Sequence, residues 1–170
     1  MKKLILILTI AMSVAFAKNV VAQKTIVEVA VGNEDFSTLV TALKAADLVS
    51  ALQGDGPFTV FAPTNDAFAK IDAETLNSLL EEKNQKALAN ILTYHVISGK
   101  ITATDVVAAL KKGYGKVELK ALNGQVLTVM QKDEKIWLKD SNGNLSQITA
   151  TDVMGSNGVI HVINTVVMPK

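Results

Sequence analysis

Gly56-Pro57-Phe58-Thr59-Val60-Phe61-Ala62-Pro63-Thr64-Asn65-Asp66-Ala67-Phe68 holds three local signals in succession. Phe58 to Ala62 is a β-branched and aromatic run between prolines, which reads as a buried strand. Pro63 stops the ladder because it has no backbone N–H to donate. Thr64, Asn65 and Asp66 can each cap exposed amides at a helix start, and Ala67 and Phe68 begin an apolar face. The stretch is a joint between a sheet and a helical layer.

On its C-terminal side the periodicity first stays helical. Asp72 is placed to cap a segment that buries Leu76, Leu79 and Leu80, and Leu88, Ile91 and Leu92 form the stripe of the next. His95 extends that stripe, and Thr102-Ala103-Thr104-Asp105 resembles a capping box opening a helix to Leu110. From Lys116 the period changes to two. Lys116–Leu122, Gln125–Gln131, Lys135–Lys139, Leu145–Val153 and Val159–Val167 read as strands. Asn123-Gly124 is a two-residue hairpin signal, and Asn142-Gly143 and Asn157-Gly158 mark the later joins. On the N-terminal side Asp35 is placed to cap a helix carrying Phe36, Leu39, Val40 and Leu43, with a short turn from Leu48 to Leu52 behind it. Helices first and an antiparallel meander later make the class α+β, with Phe58–Ala62 joining the late sheet.

The opening stretch resembles the first signature motif of the fasciclin-domain family. Asn157-Gly158-Val159-Ile160-His161-Val162-Ile163-Asn164-Thr165-Val166-Val167-Met168-Pro169 resembles the second, and Leu92-Thr93-Tyr94-His95-Val96-Ile97 looks like the family's tyrosine–histidine segment. The likeness runs from about residue 24 to residue 170, with the motifs in order. It implies a wedge of two small β-sheets flanked by several helices. It also implies a helix at Thr25–Val31, where Ile26, Val27, Val29 and Val31 alone favour a strand. The function it implies is adhesion or matrix contact without catalysis, to a cell-surface or matrix protein or polysaccharide. Some relatives instead carry a carotenoid- or lipid-like apolar small molecule.

Residues 1–22 have the pattern of a signal peptide. Lys2-Lys3 precede the apolar run Leu4 to Phe16, and small-residue cleavage sites end at Ala17 and Ala22, of which Ala22 is preferred. The run is shorter than the roughly 20 residues of a membrane span. With no cysteine to take a lipid, export without an anchor is expected, to the periplasm or beyond the cell. Residues 23–170 then form one domain of 148 residues, with 14 lysines against 16 acids. The chain has no arginine, hence no Arg-Gly-Asp motif and no bidentate fork for phosphate. The near-neutral balance argues against nucleic acid as the main partner.

Candidates for chemistry are few. His95 and His161 are the two imidazoles of a chain without cysteine, which is a poor set for zinc, and no Gly-x-Ser-x-Gly elbow is present. No enzyme activity, metal or cofactor is expected. Tyr94 and His95 have two readings. The resemblance implies receptor contact, as in relatives that bind animal cell surfaces, whereas the helical spacing from Ile91 and Leu92 places His95 in the core. His161 reads as a satisfied histidine in an alternating strand. At Asn164 many family members have aspartate, so no charge is available there. Asp140-Ser141-Asn142-Gly143-Asn144 departs from a calcium loop in its glycine position and in Thr151, and reads as a turn. Lys111-Lys112-Gly113-Tyr114-Gly115-Lys116 is a basic loop that suits either solvent or an anionic polymer. Trp137 lies on the opposite strand face from Ile136 and Leu138, and with Met130 on the preceding strand it forms either core or an apolar contact patch.

Overall fold

Thr25 decides the first element. The structure, a computed structural model, describes residues 23–170, so the expected leader over residues 1–22 lies outside the described residues. Thr25 Oγ1 accepts from Glu28 N at 3.2 Å, and Glu28 accepts from Thr25 N at 2.7 Å. This capping box outweighs the strand propensity of the valines and sets α1 (Ile26–Val31). The next cap is not Asp35. Asn33 caps a 3-10 turn at Glu34–Phe36, and the start of α2 (Ser37–Ala45) is held from a distance by Asn65. Asn65 Oδ1 accepts from Thr38 N at 3.0 Å and Ser37 Oγ at 3.2 Å, while its Nδ2 donates to Glu34 O at 2.9 Å.

After α3 (Val49–Leu52) comes β1 (Phe58–Pro63), and Thr64 then caps α4 (Asn65–Phe68) through Ala67 N at 3.3 Å. Strand, cap and helix follow one another as expected, and Pro63 itself closes the strand. Asp72 caps α5 (Ala73–Leu80). Its Leu76, Leu79 and Leu80 are half-buried, not buried as expected, because α5 packs at the margin of the helical layer. Then come α6 (Gln85–Tyr94), β2 (Val96–Ser98) and α7 (Ala103–Lys112), the last with the expected Thr102–Asp105 box.

The meander is β3 (Lys116–Lys120), β4 (Val126–Lys132), β5 (Lys135–Lys139), β6 (Leu145–Gly155) and β7 (Gly158–Ile163). The Asn123-Gly124 turn is one residue longer than a two-residue hairpin. Ala121 O accepts from Gly124 N and Ala121 N donates to Gln125 O, both at 2.9 Å, with Gly124 at φ 86°. Gly158 must be glycine for a different reason, since a Cβ there would stand 2.2 Å from Phe58 O.

The strands run in the order β2-β1-β7-β6-β5-β4-β3. β1 is parallel to β7, from Phe58 opposite Gly158 to Pro63 opposite Ile163, and the other pairs are antiparallel. The early strand thus joins the late sheet, but two separate sheets do not form. β6 serves both halves, pairing through Leu145–Gln147 with β5 and from Ile148 onward with β7. Register shifts between Ile148 and Ala150 and between Ala150 and Val153 bend it. The ends also meet, through an Ile97–Ala121 bridge and a 2.8 Å bond from Leu122 N to Val96 O, so the strands nearly close on themselves.

Two apolar clusters fill the molecule. One joins α1, α2 and α6 to Ala62 and Ile160. The other lies inside the curved strands, where Phe61, Leu127, Val129, Leu138 and Ile163 are 0% exposed and Val106 and Leu110 of α7 close the space.

Candidate functional site

His95 follows the last residue of α6, and Phe61 N donates to its carbonyl at 2.9 Å. Its ring is buried. Nδ1 lies 2.8 Å from Ile91 O and Nε2 accepts from Val167 N at 3.2 Å, so the proton is on Nδ1. Burial pushes its pKa down to about 4, against a smaller opposing pull from Ile91 O. The neutral imidazole ties α6 to the C-terminal segment. Tyr94 is buried beside it and donates its hydroxyl proton to Val126 O at 2.9 Å while accepting from Ser141 N at 3.1 Å. His161 stacks on Phe61 at 5.7 Å between ring centres. Its Nε2 lies 2.8 Å from Ile101 O, and Asp152 N donates to Nδ1 at 3.4 Å. All three rings face inward, and their polar atoms are engaged with the backbone.

Two further polar residues, which sequence pattern marks only as turn residues, organise this interior. Asp140 is buried and accepts from Asn142 N, Asn144 N, Asn144 Nδ2 and Met168 N at 2.8–3.1 Å. Its oxygens hold the turn and the C-terminal segment together. Asn157 accepts from Ile26 N at 3.0 Å and donates to Leu52 O and Gly54 O, each at 2.8 Å, which pins α1 and the end of α3 beside β7. The Asp-Ser-Asn-Gly-Asn and Asn-Gly patterns announce turns, but not partners 28 and 131 residues away. Asn164 Oδ1 likewise accepts from Gln147 N at 3.0 Å, a role that an amide fills without charge.

Met130 and Trp137 face the other way. They stand directly opposite each other on β4 and β5, and Gln147 stands opposite Trp137 on β6. Both are half-buried on the outer side of the sheet, whereas Leu127, Val129 and Leu138 fill the inner side. The structure therefore brings Met130 and Trp137 together and separates them from Tyr94 and His95. Trp137 Nε1–H is shielded from solvent and has no acceptor among the described residues. In the basic loop the Tyr114 side chain is fully exposed.

An open groove of about 420 Å³ lies between α1, α2 and α3, with Val27, Val40, Leu43 and Val49 on its walls and Lys24 and Lys44 at its rim. Among the described residues no three His, Cys, Asp or Glu side chains are grouped to hold a metal ion. No described helix is long and apolar enough to cross a membrane.

The fasciclin domain model matches residues 34–169. Protein sll1483 of Synechocystis sp. is 53% identical over 145 residues, which cover 85% of this chain and 73% of that protein. Cell surface glycolipoprotein MPB83 of Mycobacterium bovis is 32% identical over 87% of this chain and 62% of its own length. A solved domain pair from the insect cell adhesion molecule fasciclin I superposes with a TM-score of 0.73 at 20% identity, over 85% of this chain and 51% of that one. That likeness shows the fold. The two motifs that supply the parallel β1–β7 pair, the buried tyrosine and histidine at the end of α6, and these matches together establish that the chain belongs to the fasciclin-domain family.

Proposed function

We propose that the chain is a non-catalytic, exported adhesion module that touches cell-surface or matrix material through the outer face of β3–β6. The observation that carries this reading is the placement of Trp137 against Met130 on the side of the sheet turned away from the packed interior. A tryptophan gives much contact area for little lost rotamer freedom, and such residues concentrate at recognition surfaces. Tyr94, His95 and His161 serve this face from behind, as struts that hold the strands and α6 in place. The names of the relatives support the reading, one being a cell surface glycolipoprotein and another an insect cell adhesion molecule. Export follows from the leader pattern of residues 1–22, which leaves Gln23 first in the mature chain. The experiment is direct: residues 23–170, immobilised on a surface, retain cells of the native source above an albumin-coated control. Equal retention on both surfaces would sink the proposal.

A second reading, carriage of an apolar small molecule, has the groove of about 420 Å³ between α1, α2 and α3 in its favour, a size within the usual range for ligand sites. Protein purified from its native source and extracted with organic solvent would then release a pigment or lipid in stoichiometric amount.

A further inference from the structure

The outer face of β3–β6 has a charge pattern that the whole-chain balance conceals. Side chains alternate across a strand, so Lys116 and Lys120 of β3, Lys132 of β4, and Lys135 and Lys139 of β5 share the face of Met130 and Trp137. All five are exposed, and among the described residues none forms an ion pair or a side-chain hydrogen bond. Glu118 is the one acid in these rows, with Asp133 and Glu134 at the β4–β5 turn beyond them. Residues 111–139 contain seven lysines and three acids, whereas the rest of 23–170 contains seven lysines and thirteen acids. The domain is electrically lopsided, and its positive pole is the outer sheet face that carries the indole.

We infer that this face binds an anionic polysaccharide, a polymer bearing carboxylate or sulfate groups. The inference rests on the adhesion reading and names its partner. Lys135 and Lys139 stand four residues apart on one strand, or about 13 Å, and the face is about 14 Å across from β3 to β6. A single extended sugar chain fits those dimensions. Pyranose rings present apolar C–H faces that stack on an indole, and the surrounding ammonium groups meet the acid groups carried by neighbouring sugars. Lysine is a hydrated point charge suited to scattered carboxylates and sulfates, and the chain lacks the arginine forks that favour phosphate. Single-stranded nucleic acid calls for several stacking platforms in series, and this face has one aromatic residue. Trp137 Nε1–H, unpartnered among the described residues, is a donor left over for a ligand hydroxyl.

The test uses residues 23–170 against immobilised alginate (carboxylate), heparin (sulfate), neutral dextran, single-stranded DNA and vesicles of phosphatidylglycerol, beside the cell-retention assay. Alginate or heparin is bound and dextran is not. Raising salt from about 0.01 M to about 1 M, which shortens the screening length from about 30 Å to about 3 Å, releases the polymer. The triple variant Lys132→Gln, Lys135→Gln, Lys139→Gln binds about tenfold more weakly or worse through loss of the positive field, while Lys83→Gln with Lys86→Gln has no effect. Trp137→Ala weakens binding even at low salt, and Trp137→Phe restores part of it. Unaltered melting curves keep each comparison valid, since these side chains lie on the solvent side of the sheet. Tighter binding to DNA or to vesicles than to either polysaccharide overturns the inference, as does an undiminished triple variant. Cell retention without polysaccharide binding overturns it while leaving the adhesion reading in place. Polysaccharide binding without cell retention removes the adhesion reading instead.

Discussion

His95 commits both ring nitrogens to backbone groups, Nδ1 to Ile91 O and Nε2 to Val167 N, and is neutral in the folded chain. Its pKa is about 4 there, against the ordinary histidine value of 6.5 that applies once the chain unfolds. Between those values the unfolded chain binds the extra proton and the folded chain does not. Stability from this group is therefore whole above pH 6.5, falls as the pH drops toward about 4, and levels off below that. A shift of this size is worth about 3 kcal/mol. Denaturation curves of the wild type and His95→Gln at several pH values check it. The wild type loses stability from pH 7 to pH 4, and the variant, already less stable, lacks that part of the slope. Parallel pH profiles would show that the imidazole is not the buried neutral group described. Legibility at this scale was uneven. Helical spacing placed His95 on an apolar stripe, but its bond to Val167 N spans 72 residues and lay beyond local pattern. Local pattern marks Asp140 only as a turn residue for the same reason, its hold on Met168 being non-local.

At the scale of elements, the joint from Phe58 to Phe68 does more than sequence pattern reveals. Phe61 is wholly buried, pairs with His161 in register and stacks on its ring. Phe61→Ala should cost about 3–5 kcal/mol through lost transfer energy and a cavity. Chemical denaturation measures this, and a loss under about 1 kcal/mol would make β1 peripheral. Sequence pattern makes Asn65 a candidate cap for the helix that follows Pro63, yet its side chain caps α2, whose start has no cap from Phe36. Asn65→Ala should cost about 1–2 kcal/mol, at the upper end for a cap because two donors lose their acceptor. Asn65→Asp should recover part of it, since a carboxylate still accepts both. If amide exchange in α2 is no faster in Asn65→Ala, the remote cap has no weight. The meander was legible from its period of two, and α7 from its capping box. Three-residue β2 was not, because it continues directly from the helical stripe of α6. The single curved sheet was hidden for another reason. It depends on bulges in β6 and on contact between Ile97 and Ala121, which no periodicity encodes.

Over the whole molecule, burial and exposure divide the residues first considered for binding into two sets. Tyr94 and His95 sit inside, with 0% and 2% of their surface exposed, and Met130 and Trp137 sit on the outer face among lysines. Composition implies a near-neutral chain, and only the strand register turns five of the seven lysines between 111 and 139 into a positive face. Frame and contact surface are thus proposed as separate, and one paired measurement tests that separation most directly. Adhesion per folded molecule and the melting curve are recorded on the same preparations of Trp137→Ala and His95→Gln. The account predicts that Trp137→Ala keeps the wild-type melting curve and loses most of its adhesion, whereas His95→Gln melts earlier and adheres normally per folded molecule. The reverse pattern, in which adhesion falls in His95→Gln with its melting curve unchanged and stays intact in Trp137→Ala, would contradict the account and move the contact site to the tyrosine–histidine segment.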